Sequence, residues 1–146
     1  MDNRNDFYTQ KGYEMHNTDD LTASMEDYLE MICRMLKGQD IVRIQALSEN
    51  LHVKPSSASK MVNALKERGY ISFQKYGYLT ATPKGLEVGE YLLYRHDILH
   101  EFLCLLNHSE NELEQVEKIE HYINRETVAN LHLLLERLKS STSFFQ

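Results

Sequence analysis

Apolar residues recur at three- and four-residue intervals between Thr22 and Gly38, at Tyr28, Leu29, Ile32, Met35 and Leu36, which predicts one helix with a single buried face. Thr22 or Ser24 supplies a capping hydroxyl at its start, and Gly38 stops it. A short second helix is expected from Ile44 to Leu51, a tight turn at His52-Val53-Lys54, and a third helix from Pro55 to about Arg68. The period then changes from helical to alternating. Tyr70 to Lys75 reads as a strand, Tyr76-Gly77 as a turn, and Tyr78, Leu79 and Ala81 as a second strand. Thr82-Pro83 opens a long helix whose apolar positions run from Leu86 through Leu92, Leu93, Ile98 and Leu99 to Leu106; taken to Asn107 it spans on the order of 37 Å. A further helix is expected from about Ser109 to Tyr122. The last runs from Arg125 to Lys139, with Val128, Leu131, Leu134, Leu135 and Leu138 apolar.

Helix, short turn, helix and β-hairpin in that order is a winged helix-turn-helix. The expected fold is therefore mainly α with a small β-hairpin wing. It comprises an N-terminal extension over 1–20, a winged helix-turn-helix DNA-binding domain over 21–85, and a helical second domain over 86–146. In the third helix Ala58, Met61, Val62 and Leu65 point inward. Ser56, Ser57, Ser59, Lys60 and Asn63 are left outside, short polar side chains that suit a recognition helix in the major groove and equally suit an ordinary solvated face. Arg43, Pro55, and Lys75 and Tyr76 at the hairpin tip complete the candidate DNA-contacting set. The broad apolar stripe of the last helix needs cover, and self-association is its simplest source.

Charge sharpens this division. The chain of 146 residues carries a net −6, at first sight unfavourable for nucleic acid. Between Ile41 and Lys84, however, seven bases stand against two acids, a net of +5, which leaves −11 for the remainder. A composition of 26% charged and 42% hydrophobic residues is globular, and no apolar run approaches the roughly 18 residues of a membrane span, so a soluble, cytoplasmic protein without a targeting peptide is expected. Cys33 and Cys104 are far apart, form no CxxC and fall on apolar faces, as reduced core thiols do.

Six polar residues in three stretches form a candidate metal site: Asp27 and Glu30, His96, and Glu117, Glu120 and His121. Helical spacing presents Asp27-x-x-Glu30 and Glu117-x-x-Glu120-His121 each as a group. Carboxylate and imidazole donors without thiolate favour Mn²⁺, Fe²⁺, Co²⁺ or Zn²⁺, and four carboxylates with two imidazoles suffice for two ions. Taken singly, each has a plainer reading: an acidic pair favouring a helix N-terminus, a core histidine, an acidic helix face. A dinuclear metalloenzyme is the rival from another class, although the Glu-x-x-His of helical di-iron sites does not occur in the ligand groups. A winged-helix regulator answering a small organic ligand is a third.

The runs Ser24-Met25-Glu26-Asp27-Tyr28-Leu29-Glu30, Val53-Lys54-Pro55-Ser56-Ser57-Ala58-Ser59-Lys60-Met61-Val62, Leu79-Thr80-Ala81-Thr82-Pro83-Lys84-Gly85, Tyr94-Arg95-His96 and Val116-Glu117-Lys118-Ile119-Glu120-His121 resemble the diphtheria-toxin-repressor family. Over about residues 21 to 130 the chain is most similar to the manganese transport regulators within it. That resemblance implies a homodimeric, metal-dependent repressor that binds a palindromic operator at manganese-uptake genes, with a helical metal-binding and dimerisation domain. It places manganese ligands on Asp27, Glu30, His96, Glu117, Glu120 and His121, two ions per subunit. Where the iron-sensing branch has methionine and cysteine, this chain has Asp27 and Glu117, which implies Mn²⁺ as effector, with Fe²⁺, Co²⁺, Zn²⁺ or Cd²⁺ as substitutes in vitro. Against the family pattern, the chain stops before an SH3-like domain could begin and is shorter at its C-terminus than the manganese regulators. Tyr76-Gly77-Tyr78 lacks an expected arginine, and His100 stands where an acid is more usual, one turn beyond His96.

Overall fold

The computed structural model describes residues 21–141, so the expectations for 1–20 and for the last five residues lie outside it. Helix α1, Ala23–Leu36, starts where the Thr22 hydroxyl accepts from Met25 N at 3.2 Å. Helices α2, Ile44–Leu51, and α3, Pro55–Glu67, follow, the turn between them made by His52 in the left-handed region with φ 56°. A strand of two residues, β1 (Val42–Arg43), precedes α2. It pairs antiparallel with β3 (Tyr78–Ala81), which pairs in turn with β2 (Ile71–Gln74), so the sheet order is β1-β3-β2. The wing is thus three-stranded, where the sequence pattern predicts two strands. A pair of residues is too short to show alternation.

The hairpin tip, Lys75–Gly77, is a 3₁₀ turn with Tyr76 at φ 67° and Gly77 at φ 76°. Helix α4, Pro83–Asn107, is capped by Thr82, whose hydroxyl accepts from Gly85 N and donates to Gly69 O. These two hydrogen bonds tie the start of α4 to Gly69. Helix α5, Leu113–Ile119, runs into a 3₁₀ turn, Glu120–Tyr122, and α6 spans Arg125–Ser140.

The fifth helix starts four residues later than the pattern predicts. His108 takes φ 52° and ends α4, after which Ser109 Oγ and Asn107 Nδ2 donate to Glu112 Oε1 at 2.7 and 3.0 Å. Short polar side chains here satisfy the chain locally and compete with helix formation.

Two apolar cores result. The larger gathers Leu29 and Ile32 of α1, Val42, Leu47, Ala58, Val62, Leu65, Ile71 and Leu79, and extends along α4 to Leu92 and Leu93. The smaller packs Ile98 of α4 against Val128 and Leu135 of α6. One helix therefore serves both. Its contact with the winged lobe needs glycine at two places, since a Cβ on Gly85 would lie 1.8 Å from Tyr70 O and one on Gly89 2.1 Å from Cys33 Sγ. Cys33 is buried, Cys104 half-buried, and both are free thiols.

Candidate metal centre

The close approach at Gly89 sets α4 beside α1, and two turns further on this brings Arg95 and His96 against Glu26 and Glu30. The turn Glu120–Tyr122 closes the remaining side. His96 Nδ1 lies 2.9 Å from Glu120 Oε2 and 4.0 Å from Glu30 Oε2. His121 sits between two acids of α1, with Nδ1 2.8 Å from Glu26 Oε1 and Nε2 2.8 Å from Asp27 Oδ1. Two groups of donors, Asp27 with Glu120 and His121, and Glu30 with His96 and Glu120, each bring one atom per residue within 4.8 Å of the others. Glu120 belongs to both.

Burial makes this arrangement costly without a cation. Glu120 is 1% exposed, and its Oε1 has no hydrogen-bond partner among the described residues. Burial, and then the neighbouring Glu120 charge, push the Glu30 carboxyl up to about 7, partly offset by His96 and Arg34. For His121, burial opposes the charged ring, but the Asp27 and Glu26 carboxylates outweigh it and raise the imidazole to about 9. The Glu120 hydrogen bond likewise raises His96. Protons and the Arg34 guanidinium, 3.3 Å from Glu30, hold the acids here. Carboxylate oxygens, with Glu120 buried and its Oε1 orphaned, beside two imidazoles from three elements fit a divalent cation.

Five of the six residues singled out in the sequence come together in this way. Glu117 does not; it is exposed on α5 and belongs to neither group. Helix α5 gives way to the tighter turn at Glu120, so Glu117 and Glu120 do not share one continuous α-helical face. His100 also stays out: its ring stacks parallel to His96 at 6.3 Å, and its Nε2 accepts from Glu112 N at 3.2 Å. Two side chains that sequence reasoning passed over, Glu26 and Arg95, are ion-paired at 3.2 Å beside His121. Their only sequence signal was adjacency to Asp27 and His96. The buried thiol of Cys33 is pushed up to about 11 chiefly by burial, which disfavours the thiolate a metal would need.

In the winged lobe, Pro55 opens α3 with Ser56, Ser57, Lys60 and Asn63 exposed and Ser59 half-buried. Ala58, Val62 and Leu65 are buried beneath them. Arg43 hydrogen-bonds the Tyr78 hydroxyl and stacks over its ring at 4.8 Å, so this base is held against the wing. Tyr76 is 91% exposed at the tip, next to Lys75.

Residues 20–79 match the family described as iron dependent repressor, N-terminal DNA binding domain, and residues 82–142 match the iron dependent repressor metal binding and dimerisation domain. Among curated proteins, a transcriptional regulator named MntR from Oceanobacillus iheyensis is 37% identical over 123 residues, 84% of each chain. One of the same name from Geobacillus thermodenitrificans is 41% identical over 104 residues, 70% of this chain and 74% of that one. Solved structures of the manganese regulator SloR and the metal-dependent regulator MtsR superpose with TM-scores of 0.69 and 0.70 at 24% identity, covering 80% of this chain. The chain spans about half of those structures, 55% in each case, and the likeness to them bears on the fold alone.

Proposed function

Because the chain belongs to the iron-dependent repressor family, the family of the diphtheria toxin repressor, we propose that it is a manganese-dependent transcriptional repressor acting as a homodimer on a palindromic operator at manganese-uptake genes. Family membership itself makes it a divalent-metal-binding, dimeric DNA-binding regulator and not an enzyme. The observation that carries the manganese reading is the donor set: oxygen and imidazole nitrogen only, with Asp27 and Glu120 facing His121. A carboxylate-rich, thiolate-free set is hard in the sense that favours Mn²⁺ or Fe²⁺ over softer competitors. The names of the MntR relatives point the same way.

The proposed ligands are Asp27, Glu30, His96, Glu120 and His121, with Glu117 a sixth whose exposed side chain would have to turn inward; two donor groups fit two ions. When bound, a divalent cation supplies the positive charge that the clustered carboxylates otherwise draw from protons and Arg34. Asp27 and Glu30 ride on α1 of the winged lobe, whereas Glu120 and His121 lie on the turn between α5 and α6. Drawing them together narrows the spread of orientations between the two lobes. Two recognition helices held about 34 Å apart enter successive major grooves. Because the coupling is an equilibrium, operator DNA tightens metal binding by the same factor by which metal tightens operator binding.

Pro55, Ser56, Ser57, Ser59 and Lys60 would meet the major groove, and Arg43, Lys75 and Tyr76 the flanking backbone. Among the described residues, six of the eight large exposed apolar ones, Leu86, Leu106, Leu113, Tyr122, Leu133 and Leu134, fall in the second domain, where a second copy would cover them. A mobility-shift titration with operator DNA in Mn²⁺, Fe²⁺, Zn²⁺ and chelator tests the reading. Retardation with Mn²⁺ at the lowest concentration and none in chelator is expected. Equal retardation in chelator would remove the metal from the mechanism, and a preference for Fe²⁺ would reassign the effector.

A further inference from the structure

The pair Glu26–Arg95 sets a buried guanidinium against a half-buried carboxylate. Arg95 is 3% exposed on α4, and its Nε finds no acceptor among the described residues, so the guanidinium is incompletely satisfied. An ion pair that takes a guanidinium out of water in this way is weak as a source of stability. Its position suggests another role, for Glu26 Oε1 receives two donors at once: Arg95 Nη2 at 3.2 Å and His121 Nδ1 at 2.8 Å. Arg95 Nη2 is farther from His121 Nδ1, 3.4 Å, so the shorter bond decides that the Nδ1 proton goes to Glu26. That leaves Nε2 as the nitrogen turned to Asp27, 2.8 Å away.

We infer that Glu26 and Arg95 are positioning residues for the metal centre: Glu26 holds the His121 Nδ1–H, committing the Nε2 lone pair to the Asp27–Glu120 group, and Arg95 holds Glu26. The inference rests on the metal reading of that group. Glu26 is then not a ligand in spite of lying next to one, because its charge is already matched by Arg95. Metal-bound histidines characteristically donate their other N–H to a carboxylate, which fixes ring orientation and raises the basicity of the ligating nitrogen. The relay also spans 95 residues of sequence, so it joins α1 to the turn after α5 through groups that need not touch the ion.

Three chains distinguish this: wild type, Glu26→Ala, and Glu26→Gln, whose amide oxygen can still accept both bonds. In metal-free protein labelled with ¹⁵N-histidine, the His121 Nδ1 proton is expected to be protected from solvent exchange in wild type and Glu26→Gln and unprotected in Glu26→Ala. Calorimetric titration with Mn²⁺ is expected to show Glu26→Ala weakened roughly 10- to 100-fold, the span usual for such outer partners, and Glu26→Gln close to wild type. Similar unfolding midpoints of the metal-free chains would separate positioning from loss of fold. Glu26→Ala binding Mn²⁺ as tightly as wild type, or Glu26→Gln failing as badly as Glu26→Ala, would overturn the relay while leaving the metal reading intact. Wild type that takes up no Mn²⁺ would overturn the metal reading itself.

Discussion

Glu30 and His121 both hold their protons more tightly in the folded chain than outside it, at about 7 and about 9. The folded state therefore binds more protons than the unfolded one, from the ordinary glutamate range near 4.5 up to about 9. Where that holds, stability falls as pH rises. Glu30 contributes most below its unfolded value and loses that contribution by about pH 7; for His121 the loss runs from about 6.5 to about 9. In chelator, urea unfolding at pH 5, 7 and 9 is expected to show a decline on the order of a few kcal/mol in total. A flat profile would mean that the cluster opens without its cation. The unequal placement of two neighbouring acids gives a second expectation at this scale. Glu120→Gln removes an oxygen shared by both donor groups and should weaken Mn²⁺ binding by at least tenfold, whereas Glu117→Gln should cost less, both read by calorimetry. Equal losses would show that Glu117 turns inward as a full ligand.

At the scale of elements, the junction between α1 and α4 tolerates little added volume. Gly89→Ala forces a Cβ to 2.1 Å from Cys33 Sγ, an overpacking expected to cost about 1–3 kcal/mol in chemical unfolding and to spread α1 from α4. On the recognition helix, Lys60→Ala should weaken binding to every DNA sequence alike and lower the salt slope by about one, as loss of a phosphate contact does. Altered base preference alone would reassign Lys60.

Most elements were legible because their signals are local. Pro55 and Pro83 at helix starts, Thr22 and Thr82 as caps, and the switch from helical to alternating period at Gly69 mark α1, α3, α4 and the hairpin without help from the rest of the chain. Helix α6 was read to within a residue. What escaped is non-local. β1 exists only because β3 offers it an edge, and α5 is shortened by side-chain bonds among Asn107, Ser109 and Glu112 that compete with its first turn. The same distinction holds at the candidate metal centre. Residue type and spacing pointed to Asp27, Glu30, His96, Glu120 and His121, but not to Glu26 and Arg95, whose roles arise from a helix crossing that no periodicity records.

At the scale of the whole molecule, charge and apolar surface are segregated along the chain. The basic stretch 41–84 carries the wing and recognition helix, and among the described residues six of the eight large exposed apolar ones lie beyond it. Leu133 and Leu134 on α6 are the clearest pair, exposed while Val128 and Leu135 on the same helix are buried. Changing both to lysine is expected to convert the dimer to a monomer in sedimentation velocity and to abolish operator retardation, while Mn²⁺ uptake persists. A dimer that survives would move the interface elsewhere on the second domain.

Glu120 has a consequence reaching beyond the polypeptide. If each cluster takes an ion, as proposed, a single carboxylate facing both means that filling one alters the field felt by its neighbour, so the pair would not respond as two independent receptors. Seen from the gene, the sensor would have a threshold whose sharpness depends on how one oxygen pair is divided between its claimants.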